Sequence, residues 1–212
     1  MKNEFGGYFE LDQMSAIQDI ESYGHAFQSA RAALEVLLVE VKPQRIWMPR
    51  YLCGCVFDPV NKLGIEVVLY DIDERFHIVD DINLATGDIL YYVNYFGLCR
   101  AYQEKLIATY EPSQIIFDHA QAFFSKTFPV LGTIFSPRKF MGIPDGGFLV
   151  TSTEIASNFI EDDGSINRMT HLLKRLAYSA SEGYIDFKVA DNSLCNKPPK
   201  YMWPLKKTLM RR

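Results

Sequence analysis

An acid and a lysine stand at the ends of two predicted strands that follow one another along the chain. Asp118 closes the apolar stretch 115–117, and Lys139 follows the stretch 133–135 after a short Ser-Pro-Arg segment. A lysine amine can form a Schiff base with a carbonyl group, and a carboxylate can pair with the protonated nitrogen of a pyridine ring. These two side chains, twenty-one residues apart, therefore predict a site for pyridoxal 5'-phosphate (PLP), with Lys139 and Asp118 as its catalytic residues.

Other polar residues lie at positions where they could join such a site. Ser29, Ala30 and Arg31 open a predicted helix over 29–41, in which apolar residues recur at helical spacing. Backbone N–H groups at a helix start can bind an anion, aided by the helix dipole, although Ser29 could equally act as a simple N-cap, and both roles are compatible. Without Lys139 downstream, a strand-terminal acid such as Asp118 would more commonly be a capping residue.

The elements that must position these residues alternate along the chain. Strands are predicted over 45–48, 66–70, 89–95, 115–118, 132–136 and 147–151, and helices over 29–41, 53–63, 101–110, 153–160 and 167–180. Strands separated by helices are typical of a mainly parallel sheet. The link from 136 to 147 is shorter than the dozen or so residues that a parallel crossover usually takes. We therefore expect an α/β fold whose last strand is antiparallel.

The composition and short motifs of the chain argue against several other classes of protein. The chain has 212 residues, 48% of them apolar, and a net charge of -4, which offers no electrostatic basis for binding nucleic acid. Apolar runs fall short of the ~20 residues that span a bilayer, and we expect a cytoplasmic protein without a membrane partner. Cys53-Gly54-Cys55 has the wrong spacing for a zinc site and lacks a second ligand pair. Ser136 and Lys139 also fit the Ser-x-x-Lys pattern of β-lactamases, but that family's other motifs are absent.

In order and spacing, several segments resemble the DegT/DnrJ/EryC1/StrS group of PLP-dependent aminotransferases. They are Gly6-Gly7-Tyr8-Phe9-Glu10-Leu11, Ser29-Ala30-Arg31-Ala32-Ala33-Leu34, Pro49-Arg50-Tyr51, Val93-Asn94-Tyr95-Phe96-Gly97, Asp118-His119-Ala120-Gln121, Ser136-Pro137-Arg138-Lys139 and Asp145-Gly146-Gly147. The resemblance implies the three-layer α/β/α sandwich of the large domain of PLP-dependent transferases, with a mainly parallel sheet and one antiparallel strand.

The same resemblance implies roles for the candidate residues. Lys139 would carry the Schiff base and shuttle a proton, and Asp118 would pair with the ring nitrogen. Gln121 would contact the 3-hydroxyl of the ring, and Tyr51 would pack on the ring. The start of the helix at Ser29, Ala30 and Arg31 would bind the phosphate, with a hydroxyl added by Ser136.

The resemblance also implies a domain organisation and a reaction. We expect an N-terminal arm with one short helix over 1–25, a PLP-binding domain over 26–190, and a tail over 191–212 that leads to a C-terminal small domain missing from this sequence. The expected activity moves an amino group from a donor such as glutamate to a keto acceptor of the nucleotide-linked keto-sugar class, in a homodimer. The alternative is a non-catalytic remnant of the fold, or a binding protein without turnover.

Overall fold

The computed structural model of the protein describes residues 8, 9, 11 and 23–203. Most of the predicted arm over 1–25 lies outside these described residues. So does the end of the predicted tail, from residue 204 onward.

Within the described part of the chain, seven strands form one sheet in the order β1-β7-β6-β5-β4-β2-β3. Their bounds are β1 His25–Phe27, β2 Arg45–Pro49, β3 Glu66–Tyr70, β4 Asp88–Val93, β5 Ile115–Asp118, β6 Gly132–Phe135 and β7 Gly147–Val150. The last strand, β7, is antiparallel to both of its neighbours, while the pairs among β2 to β6 are parallel. Every residue of β4 is buried, as is usual for a central strand covered on both faces. The predicted mainly parallel sheet with one antiparallel strand is confirmed.

The described residues contain five α-helices: α1 Ala30–Val41, α2 Phe57–Lys62, α3 Arg100–Thr109, α4 Thr170–Ala177 and α5 Ala180–Asn192. Helices α1 and α2 pack against each other on one face. The chain moves one way across the sheet from β2 to β3 and the other way from β4 to β5. Right-handed crossovers therefore place α3 on the face opposite α2, which makes three layers.

Helix α1 forms where its sequence pattern predicts it. Ser29 caps its start, because the Ser29 hydroxyl accepts a hydrogen bond from the Ala32 N–H at 3.1 Å. Its core-facing residues, among them Leu34, Leu37 and Leu38, are buried against the sheet. The helix ends at Lys42, which adopts a left-handed conformation with φ 51°.

The predicted helix over 153–160 is wrong, because this segment is extended. Its side chains alternate between half-buried and exposed with the period of two that extended backbone imposes. Ile155 and Phe159 pack against the core, and Ser157 donates from both its N–H and its hydroxyl to Glu40. Tertiary contacts to the core and to α1 thus take the place of helical hydrogen bonds.

Three further elements differ from the sequence-based expectation. The helix predicted over 53–63 starts later, at Phe57, after a 3-10 turn over Gly54–Val56. The helix predicted over 167–180 is divided at Ser179, which caps a separate helix α5 by accepting from the Glu182 N–H at 3.2 Å. Strand β1 was not predicted, since three residues are too few to show a period.

Candidate active site

A cavity of about 380 Å³ opens at the carboxyl ends of the parallel strands, beside the start of α1. Open α/β sheets commonly bind ligands at this edge, where loops from several strands converge. All eight residues singled out in the sequence line this one cavity: Ser29, Ala30, Arg31, Tyr51, Asp118, Gln121, Ser136 and Lys139.

Asp118 lies in the floor of the cavity and is buried. Its Oδ1 accepts the Ala120 N–H at 2.7 Å, and its Oδ2 accepts the Tyr91 hydroxyl at 2.8 Å. Burial raises the pKa of the Asp118 carboxyl, although these two hydrogen bonds and the charge of Lys139 oppose that rise. No ion pair reaches Asp118 from the described residues. A buried carboxylate that makes no ion pair is available to a protonated ring nitrogen.

Lys139 is placed in a 3-10 turn, Pro137–Lys139, directly after β6. Its side chain is exposed, and its amine has no hydrogen bond or ion pair among the described residues. Ser136, at the end of the same strand, is buried, and its hydroxyl has no hydrogen-bond partner in the described part of the chain. Both groups are therefore available to a ligand in the cavity.

Two glycines bring the start of α1 close to strand β7. A Cβ at Gly147 would collide with the backbone of Ser29 and Ala30, and Gly146 adopts φ 123°, which side chains rarely allow. The N–H groups of the first helical turn have no earlier helical carbonyl to bind. The Gly146-Gly147 pair thus sets a helix N-terminus against the cavity, where it can hold an anion.

Gln121 and Tyr51 lie at the rim. Gln121 accepts the Phe96 N–H at 3.1 Å through Oε1, which leaves its NH2 group without a partner among the described residues. Phe96 is held at φ 53°, an unusual backbone conformation for a bulky residue. Tyr51 is 62% exposed, and its ring stacks on that of Tyr95 at 5.7 Å.

Tyr91 and Asp191 also line the cavity but were not among the residues predicted from the sequence. Arg138 donates to Asp191 at 2.8 Å, and the Arg31 guanidinium lies 3.9 Å from the same carboxylate. Asp191 comes from α5, whose existence was not predicted, so no sequence signal linked it to the cavity. Tyr91 could have been found, because side chains two residues apart on a strand share a face and Val93, which ends β4, also lines the cavity.

The described residues contain no cluster of three or more acidic, histidine or cysteine side chains that could hold a metal ion. None of their helices is both long and apolar enough to cross a membrane.

Comparisons with known proteins support the fold. The sequence matches no family model and no curated protein. Among solved structures, NtdA from Bacillus subtilis with bound PMP aligns at TM-score 0.51 and 18% identity, covering 61% of this chain and 33% of that one. The E. coli GDP-4-keto-6-deoxy-D-mannose-3-dehydratase with bound hydrated PLP aligns at TM-score 0.50 and 17% identity, covering 76% of this chain and 44% of that one.

A third structure is a DegT DnrJ EryC1 StrS aminotransferase from Brucella abortus, at TM-score 0.47 and 18% identity, covering 79% of this chain and 54% of that one. The chain thus spans between a third and about half of the length of these proteins. The NtdA and dehydratase alignments show that the chain has the fold of these PMP- and PLP-bound proteins.

Proposed function

We propose that the chain binds PLP in this cavity. One observation carries the proposal: the buried Asp118 carboxylate, which makes no ion pair with the described residues, shares the cavity with the unpaired amine of Lys139 and with the start of α1. Acid, amine and anion site are three separate requirements of this cofactor.

Each group has a defined task in this proposal. Asp118 would pair with the ring nitrogen, and the amine of Lys139 would hold the cofactor and serve as the proton-transfer group. The first turn of α1 would bind the phosphate, with the free hydroxyl of Ser136 as a further donor. The free NH2 group of Gln121 would be available to the ring hydroxyl, and Tyr51 would pack on the ring.

We further propose that the chain belongs to an aminotransferase. The chemistry that PLP supplies here is the transfer of an amino group from an amino acid such as glutamate to a keto acceptor. NtdA was solved with PMP, the amino form of the cofactor, and the dehydratase is named for a nucleotide-linked keto-sugar. The name of the dehydratase supports a keto-sugar acceptor of the same class.

Assembly and location are proposals as well. A homodimer is supported by apolar side chains that remain exposed on α4 and α5, including Leu176, Ile185 and Val189. A reducing, cytoplasmic setting agrees with the four cysteines, all of which are free. Sedimentation of the purified chain tests the dimer directly.

The cofactor proposal is tested by absorbance and labelling. Purified protein is titrated with PLP, reduced with borohydride and digested for peptide mass mapping. We expect a pyridoxyl group on Lys139, its loss in Lys139→Ala, and unchanged labelling in Lys105→Ala, an exposed lysine outside the cavity. Labelling only at other lysines would overturn the assignment. PLP binding without transamination of common amino donors would favour the alternative, a non-catalytic binding protein.

A further inference from the structure

Two cysteine thiols on the cavity wall have no part in the proposed function. Cys53 and Cys55 flank Gly54 in the turn between β2 and α2, and their Sγ atoms lie 3.2 Å apart. Both line the cavity. Cys53 is exposed, and Cys55 is half-buried.

We propose that Cys53 and Cys55 form a thiol–disulfide exchange site that reacts with a small-molecule disulfide of the glutathione type. The Cys53 thiolate attacks one sulfur of that disulfide and displaces one equivalent of small thiol, which leaves a mixed disulfide on Cys53. The Cys55 sulfur then attacks Cys53, displaces the second equivalent of small thiol and closes the Cys53–Cys55 disulfide. The protein loses two hydrogens and two electrons, and the small disulfide gains them.

The local geometry permits this closure. A disulfide needs its sulfurs about 2.0 Å apart, so the pair must approach by roughly an ångström. Gly54 carries no side chain, and apart from its two chain neighbours no described residue has an atom within 4 Å of the position where its Cβ would be. Atoms of other described residues therefore do not crowd this side of the turn that joins the two thiols.

Charge and burial set the order of the two attacks. Burial, together with the hydrogen bond and the charge of Cys53, raises the pKa of the Cys55 thiol to about 11, while nearby Arg31 opposes that rise. Cys53 is the exposed thiol, so it reacts first. Once Cys53 is in a mixed disulfide, its charge and its thiol hydrogen bond no longer raise the pKa of Cys55, whereas the opposing charges of Arg31 and Asp191 both remain. Ionisation of Cys55 then becomes easier at the step that requires it.

The other two cysteines are placed differently. Cys99 is buried, and its thiol donates a hydrogen bond to the Tyr95 carbonyl oxygen. The sulfur of Cys195 accepts a hydrogen bond from Arg31 at 3.3 Å. Cys195 is therefore the matched control, because it also contacts Arg31 but forms no hydrogen bond with another cysteine among the described residues.

The experiment treats the full chain with glutathione disulfide, blocks the remaining thiols with an alkylating reagent and maps the peptides by mass. It needs no cofactor, so its result is independent of the proposed function. In the unmodified chain we expect the peptide with Cys53 and Cys55 to lose two hydrogens and to carry neither glutathione nor alkyl groups. Cys195→Ser should behave in the same way.

The single variants separate the two steps. Cys55→Ser should retain glutathione on Cys53, because no neighbouring thiol can displace it. In Cys53→Ser, glutathione should add to Cys55 about tenfold more slowly than it adds to Cys53 in Cys55→Ser, because a half-buried thiol has a lower thiolate fraction. A stable glutathione adduct on Cys53 of the unmodified chain, or a disulfide that joins Cys53 to Cys195, would overturn the proposal. So would a failure of both thiols to react.

Discussion

The Tyr91 hydroxyl donates a 2.8 Å hydrogen bond to Oδ2 of Asp118, across neighbouring parallel strands. In the register of β4 and β5, Val93 pairs with Asp118, and Tyr91 lies two residues earlier on the same face of β4. The second carboxylate oxygen is held by the Ala120 N–H at 2.7 Å. Together these donors fix the orientation of the carboxylate in the cavity before any ligand arrives.

We expect Tyr91→Phe to weaken PLP binding about fivefold, since one hydrogen bond to a charged group is worth roughly 1 kcal/mol or more. Loss of the hydroxyl also removes a contact that lowers the pKa of Asp118. Tyr92→Phe is the matched control, because the Tyr92 hydroxyl donates its hydrogen bond to the Phe76 carbonyl oxygen rather than to Asp118. Absorbance titration with PLP measures both variants. Equal affinities for the two would show that the Tyr91 bond has no role in binding.

Asp118→Asn should impair cofactor chemistry more than folding. Burial raises the pKa of Asp118 in the folded chain, so the folded state holds this proton more tightly than the unfolded state. Ionisation therefore costs stability, and the cost develops as pH rises through and above the unfolded value. In the cofactor-free protein, the asparagine variant should be at least as stable as the parent at pH 7. Urea unfolding at pH 4 and pH 7 tests this.

The chemical half of the Asp118→Asn prediction uses a half-reaction with an amino donor. An amide cannot hold the ring-nitrogen proton by charge, so the rate should fall in the variant. An unchanged rate would remove Asp118 as the ring partner, whatever the urea measurements show.

In His119→Gln, the free energy of unfolding should fall less steeply than in the parent as the pH drops below 7. Burial, with a contribution from the charge of Arg100, lowers the pKa of His119 to about 4. The unfolded chain binds this proton first, so stability falls as pH drops from about 6.5 toward 4. The His119 contribution between pH 7 and pH 5 is about 2 kcal/mol. Urea unfolding should show the parent losing more stability than the variant by this amount, and equal losses would contradict it.

The glutamine at position 119 keeps a polar partner for Gln103, whose side chain lies 2.9 Å from the His119 ring. His171 also has a pKa lowered by burial, so the variant should retain part of the acid dependence.

Gly147→Ala should destabilise the chain by about 2 kcal/mol or more, the cost typical of an overpacked core. Its new Cβ would collide with the backbone of Ser29 and Ala30, which cannot rotate away. Gly54→Ala meets open space and serves as the control. Urea unfolding should separate the two variants clearly. Because the collision displaces the start of α1, PLP affinity should fall in Gly147→Ala alone.

Much of the fold could be predicted from the sequence because its elements are periodic. The apolar spacing of α1 and the buried runs of β4 and β5 are local patterns, and the structure places these elements within a residue or two of their predicted bounds. The segment over 153–160 was assigned wrongly, because a short apolar pattern does not distinguish a helix from an extended segment that packs on the core.

The sequence by itself determined which groups stand at strand ends and at a helix start: Asp118, Lys139 and Ser29. The carboxyl ends of parallel strands lie at one edge of a sheet, so Asp118 and Lys139 were expected to lie close together, whereas the place of Ser29 was implied by the family resemblance. Only the tertiary structure decided that Tyr91 holds the carboxylate, that α5 brings Asp191 to Arg138, and that the Cys53 and Cys55 thiols face the same cavity. Contacts of this kind depend on how distant segments pack, and neither periodicity nor spacing along the chain encodes that packing.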